Sequence, residues 1–213
     1  MNFRNLLAGG AATLMLLAPA QALAQESGSG GPLIIYVSPN PVGVNDFLRL
    51  GKEGTEQVAE ALGGTSKIYE STDPTTRLQN LEAAAREGAD VVVTITFEFS
   101  DILPEVAANY PDTPFLIIDT CPENPGPNVY CAAFREHEAN FLAGAEAALT
   151  SETGKVGAIG ALDIPFIHRY NDAFLAGARH VKPEIETAEN LWIGGNNPFS
   201  DPARGQLRAT AML

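Results

Sequence analysis

The residues best equipped for chemistry stand just beyond apolar runs. Asn45 and Asp46 follow the run 33–37. Thr94, Thr96, Phe97, Glu98 and Phe99 close the run 90–95. Asp119 and Thr120 close the run 114–118, and Asp163, Phe166, His168, Arg169 and Tyr170 follow the run 155–160. Asn45 offers both a donor and an acceptor, and Asp46 can accept from a ligand or from the first amides of a helix. A carboxylate that ends a buried run needs partners, so Asp119 either meets a ligand or ties down its own turn. Phe97 and Phe99 flank Glu98, and Phe99 is the preferred cleft ring. Arg169 reaches a cleft rim or sits on a solvated helix end. Such a set holds a small polar ligand. Asp46 and Asp119 would alternatively serve as acid and base in a small hydrolase.

Other chemistries find little support. There is no Gly-x-Ser-x-Gly elbow, and Thr153-Gly154-Lys155-Val156 lacks the glycines and the hydroxyl of a phosphate loop. Gly157-Ala158-Ile159-Gly160-Ala161-Leu162 misses the third dinucleotide-loop glycine. His137, His168 and His180 show no ligand-like spacing with the cysteines, so no metal and no cofactor are expected.

The elements that must position these residues alternate. Residues 33–37, 66–70, 90–95, 114–119, 155–160 and a stretch within 185–193 read as strands. Periodic segments after Asn45 or Asp46, over 73–86, near 101–110, over 138–149 and about 166–181, and after Asp201 read as helices. Gly63-Gly64 ends the first helix, and Asp73-Pro74 and Asp201-Pro202 are cap-and-first-turn pairs. Strands with almost no polar alternation are buried on both faces of a parallel sheet. Repeated βα units with right-handed crossovers then give an α/β fold. The rhythm breaks between Asp119 and Glu136, where 128–134 reads as a short extended segment. The expected division is a first lobe over 32–121, a crossover or hinge over 122–133, and a partial second lobe over 134–213.

The first residues read as an export signal over 1–24, with an apolar run from Leu6 to Leu17 and the small-residue site Ala22-Leu23-Ala24. No Cys follows that run, so a lipid anchor at the signal site is not expected. A Gly/Ser-rich leader over 25–31 comes next. The location implied is the periplasm or another extracytoplasmic space. With 26 Asp+Glu against 13 Lys+Arg, the formal net charge is −13, which opposes binding to nucleic acid. Cys121 and Cys131 flank a turn-forming segment, and an oxidising compartment permits a disulfide between them; two free thiols are the alternative. The chain is expected to be monomeric.

Several segments carry a family resemblance. Phe134-Arg135-Glu136-His137-Glu138-Ala139-Asn140-Phe141-Leu142-Ala143-Gly144-Ala145 resembles the signature segment of the basic membrane protein family, the PnrA-like substrate-binding proteins of ABC importers, with Asn140 in place of the usual Ser. The likeness continues through 154–160, 163–167, 174–177 and 198–205. Upstream, Val44-Asn45-Asp46 is similar to the family's Phe-Asn-Asp ligand loop. The resemblance implies a two-lobed, type I periplasmic-binding-protein-like fold, with each lobe a mostly parallel sheet flanked by helices. It also implies a purine nucleoside or purine base held between the lobes, and a cognate permease as partner. In that setting Asn45 and Asp46 would contact or position the base, Asp119 would hold ribose or a base edge, and Phe99 or Phe166 would stack. Thr94-Ile95-Thr96-Phe97 stands where the family is usually glycine-rich, which narrows the pocket and makes a free base or a non-purine ligand a competitor. A ligand sensor without a transport role is a further alternative.

Overall fold

The computed structural model describes residues 30–43 and 45–212. The expected export signal, most of the leader, and Val44 lie outside the described residues. Two α/β lobes are present.

In the first lobe, strands β1 (Leu33–Ser38), β2 (Thr65–Glu70), β3 (Val91–Ile95), β4 (Phe115–Ile118) and β5 (Val129–Ala132) form one parallel sheet in the order β2-β1-β3-β4-β5. Helix α1 (Asp46–Ala61) covers one face, and α2 (Pro74–Arg86) and α3 (Leu103–Asn109) cover the other. The pleat of β1 shows why its run is unbroken. Ile35 and Val37 join Leu81, Val92, Leu103 and Phe115 on the α2/α3 face, while Ile34 and Tyr36 join Leu48, Val93 and Ile95 on the α1 face. Helix α2 starts as its sequence requires: Asp73 and Thr76 form a reciprocal capping box ahead of Pro74.

The segment 122–133 is more than a crossover. Its second half is β5, the fifth strand of the first sheet, so the first lobe extends past 121 to Ala132. Cys121 and Cys131 form a disulfide that joins the loop after β4 to this edge strand.

The second lobe is built on a helix pair. Helices α4 (Glu136–Thr150) and α5 (Pro165–Val181) carry the same five residues, Phe-Leu-Ala-Gly-Ala, at 141–145 and 174–178. The two copies pack reciprocally. A Cβ placed on Gly144 would lie 1.8 Å from the carbonyl oxygen of Phe174, and one on Gly177 would lie 1.8 Å from that of Phe141. Only glycine permits so close an approach of two backbones.

The two apolar runs beside this pair form interrupted strands rather than continuous ones. Residues 155–160 split into β6 (Lys155–Val156) and β7 (Ile159–Gly160), and the following stretch splits into β8 (Glu186–Thr187) and β9 (Leu191–Trp192). The strands pair as β6-β8 and β7-β9, both parallel. Helix α6 (Pro202–Met212) is capped by Asp201, whose Oδ1 accepts from the amide of Arg204 at 2.9 Å.

The reciprocal contact makes a sharp prediction. Gly144→Ala and Gly177→Ala will each destabilise the protein by at least about 1–3 kcal/mol, because backbone must move to admit the methyl group. Gly54→Ala, in the interior of α1 with open space around it, will instead stabilise by about 0.5–1 kcal/mol through helix propensity. Urea unfolding midpoints of the three variants provide the check.

Candidate functional site

A strand order that reverses at β1 opens a crevice at the carboxyl ends of β1 and β3, where their chains leave toward opposite faces. The cavity found there has a volume of about 350 Å³. The first lobe contributes Asn40 and Asn45 from beyond β1, Thr96, Phe97 and Glu98 from beyond β3, and Asp119 from beyond β4. The second lobe contributes Phe166 and Tyr170 from α5 and Phe199 from the loop before α6. A second cavity of about 590 Å³ adjoins it, lined by Glu98, Arg77 and the loop 195–200.

Two residues at the floor adopt left-handed backbone conformations. Thr96 has φ 78° and ψ 166°, and Asp119 has φ 82°. The Thr96 geometry belongs to a region that is essentially glycine's, at a cost of about 1–3 kcal/mol. Ladder bonds hold both residues: the Thr96 amide donates to Ile118 O at 2.9 Å, and the Asp119 amide donates to Ala132 O at 2.8 Å. The Thr96 hydroxyl donates to Glu98, whose other carboxylate oxygen accepts from Asn40 Nδ2 at 3.4 Å.

Asp119 is only 7% exposed, and among the described residues no side chain or amide donates to its carboxylate within hydrogen-bond distance. Burial, together with the nearby charges of Glu136 and Glu98, raises its pKa to about 6; Arg169 opposes the shift. Tyr170 is raised to about 12 by burial and by the charges of Asp119 and Glu136, so its hydroxyl keeps its proton and remains able to donate. Phe97 lies at the junction of the lobes. Its ring centroid is 5.9 Å from Phe166 and 6.2 Å from Phe199, and Phe166 meets Tyr170 edge-on at 5.5 Å.

The sequence-predicted residues divide. Asn45, Asp119 and Phe166 line the cavity. Asn45 is also the cap of α1: its Oδ1 accepts from the amides of Phe47 and Leu48 at 3.1 and 3.3 Å, which leaves its NH₂ for a ligand. Asp46 was the expected second contact and the alternative cap; it lines neither cavity, and the cap is Asn45. It occupies the first helical position, 82% exposed in its side chain, and pairs with Arg49 at 3.0 Å. It is not among the residues that line the cavity with Asp119.

Phe99 is a second correction. It is fully buried in the core on the α2/α3 face. Residues 97–99 form one turn of 3-10 helix, in which two positions apart means about 240° of rotation. With Phe99 inward, Phe97 faces the cleft. Arg169 lines neither cavity; its Nη2 lies 2.6 Å from Oε1 of the buried Glu136, so its charge serves that carboxylate. Asn40 and Phe199 were not anticipated. Both lie in loops, where neither period nor charge marks a residue as facing a cleft.

Asp119 ties stability to pH. Its folded pKa lies above its ordinary value, so the folded state binds more protons over the window from about pH 4 to about pH 6. The associated stability is present below about pH 4 and is lost as pH rises through about 6. Asp119→Asn will therefore flatten this fall and be more stable than the wild type at pH 7. Urea midpoints measured at pH 4, 5, 6 and 7 (about one unit apart) will show it.

Comparison with known proteins agrees with this architecture. The family described as ABC transporter substrate-binding protein PnrA-like matches residues 45–213. The chain is 32% identical over 150 residues to the ABC transporter nucleoside-binding protein BmpA of Lactococcus lactis, covering 70% of this chain and 41% of that protein. It is 31% identical over 163 residues to Basic membrane protein A of Borreliella burgdorferi, covering 71% and 47%. A solved solute-binding protein of an ABC transporter system from Aeropyrum pernix superposes with a TM-score of 0.73 at 26% identity, covering 85% of this chain and 52% of that one. The chain thus spans about half the length of the relatives it matches. It carries the two-lobed, type I periplasmic-binding-protein-like fold, and it belongs to the PnrA-like family of ABC transporter substrate-binding proteins.

Proposed function

We propose that this chain is the ligand-capturing part of an extracytoplasmic substrate-binding protein of an ABC importer, and that it takes a purine nucleoside or purine base into the interlobe cleft for delivery to a permease. The observation that carries this reading is the Asp119 carboxylate, buried at the cleft floor without a protein donor and overlooked by aromatic rings. A buried carboxylate gains most from a charge-assisted hydrogen bond with a ligand N–H or O–H, and the rings offer faces to a planar heterocycle. The cavity volume of about 350 Å³ lies within the range of small-molecule sites. The family assignment and the nucleoside-binding name of the Lactococcus relative support the same cargo.

The ring spacing adds a mechanical requirement. A planar base sandwiched between two rings needs about 7 Å between them, and Phe97 and Phe166 stand at 5.9 Å. Entry of the cargo then parts the lobes at this contact, and the lobes reclose on the base. Hinged closure of two domains around a ligand has this form. The hydrolase alternative loses its second carboxylate with the exposure of Asp46.

Calorimetric titration of the full-length protein with adenine, guanine, adenosine, guanosine, inosine and uridine is the test, with the recovered ligand checked for cleavage. Saturable one-to-one binding of intact purine ligands is expected. Asp119→Ala will weaken it by about 1.5–3 kcal/mol, the worth of a hydrogen bond to a charged group, and Phe97→Ala will weaken it through lost stacking. Absence of binding across the panel would overturn the purine cargo, and release of free sugar would overturn the carrier reading.

A further inference from the structure

Glu98 stands between the two cavities and lines both. Its position is built. The Thr96 hydroxyl and Asn40 Nδ2 each donate to one of its oxygens. Asn40 is held in turn by Arg77, whose Nη2 donates to Asn40 Oδ1 at 3.2 Å while its Nε donates to Pro39 O at 2.8 Å. Thr96 delivers its hydroxyl from a backbone conformation that favours glycine. The chain therefore accepts an unfavourable local geometry at the residue that anchors Glu98.

The charges around the two cavities are unbalanced. Their charged lining residues, among those described, are Glu98, Asp119 and Arg77. Arg77, on the wall of the second cavity, donates from Nε and Nη2 to the neutral acceptors Pro39 O and Asn40 Oδ1, and the first amides of α1 are already taken by Asn45 Oδ1, with Asp46 behind them. Glu136 lies beside the floor, paired with Arg169. An anion entering this space meets the carboxylates of Glu98 and Asp119, and on the wall of the second cavity the guanidinium of Arg77, which is held in place by Pro39 O and Asn40 Oδ1.

We propose that Glu98 is a specificity-determining charge filter: it accepts a hydrogen bond from a neutral cargo and rejects the phosphorylated form of the same cargo. The proposal rests on the purine reading above and adds to it the discrimination between a nucleoside and its 5′-phosphate. Rejection by a placed like charge is a common route to specificity, because it costs the correct ligand nothing. Glutamine at 98 keeps the acceptor for Thr96 and removes the charge.

The test is titration of the full-length protein, wild type, Glu98→Gln and Glu98→Asp, with guanosine and with guanosine 5′-monophosphate. The wild type will prefer the nucleoside. Glu98→Gln will narrow the ratio of the two affinities about tenfold, whereas Glu98→Asp, which keeps the charge, will retain most of it. An unchanged ratio in a folded Glu98→Gln protein would overturn the proposal. If that variant does not fold, the wild-type ratio decides: discrimination by charge shrinks as salt is raised from about 0.05 M to about 1 M, and a salt-independent ratio overturns it.

Failure of the wild type to bind either compound would overturn the purine reading alone. The filter would then be judged on the carboxyl titration of Asp119, followed by ¹³C NMR. Removing the Glu98 charge will lower that midpoint if its field reaches the cleft floor, and an unmoved midpoint overturns the proposal.

Discussion

The reversal of strand order at β1 governs the position of every other functional feature. Right-handed crossovers send the chain from β1 to α1 on one face of the sheet and from β3 toward α3 on the other. The loops beyond these two strands must separate, and among the described residues of the first lobe a space is left between them. The polar residues of the site are simply those that come next in the chain: Asn40 and Asn45 after β1, Thr96 and Glu98 after β3, and Asp119 after β4. Helix α5 closes the space from the other lobe with Phe166 and Tyr170. Its placement within the second lobe follows from the glycine-mediated contact with α4.

Burial and charge act in the same direction at the cleft floor. Taking Asp119 out of water disfavours its ionised form, and two neighbouring carboxylates disfavour it further. The single nearby guanidinium, Arg169, lies 2.6 Å from Glu136 and offsets only part of this. The floor is left short of donors. A ligand that brings N–H or O–H groups relieves that deficit, and the relief is larger in a cleft that excludes water than at an exposed surface. On the proposed reading, affinity for a donor-rich heterocycle follows from this shortage of donors at the floor.

The strands and caps were legible because their signals are local. Unbroken apolar runs mark strands covered on both faces, as the two-sided packing of β1 shows, and Asp73-Pro74 and Asp201-Pro202 mark helix starts that depend only on adjacent residues. Asp119 was legible for a related reason: a carboxylate ending a buried run has few places to go. Phe97 and Phe99 were not separable, because the choice depends on whether the chain continues as strand or tightens into a 3-10 turn, and both residues are equally apolar. The cap at Asn45 rather than Asp46 shifts by one residue, which is enough to turn Asp46 to solvent. Strand β5 read as an extended segment over 128–134 but not as part of the first sheet, because a short edge strand, half exposed and preceded by Pro and Gly, carries little hydrophobic signal.

The interlobe aromatic contact sets how the empty and filled states compete. Phe97 of the first lobe lies against Phe166 and Phe199 of the second, with ring centroids 5.9 and 6.2 Å away. These contacts join the lobes, and each is worth about 0.5–1.5 kcal/mol beyond the area it buries. A base that inserts between the rings gives up ring-to-ring contact and gains two ring-to-base contacts, so the net stacking gain is smaller than either face alone would provide. The polar floor must therefore supply the larger share of discrimination among flat ligands. Every aromatic heterocycle offers a π face to Phe97, whereas few place their donors where Asp119 and Glu98 can accept them. On the proposed reading, specificity in this cleft resides with the carboxylates, and the rings contribute to retention of whatever the carboxylates admit.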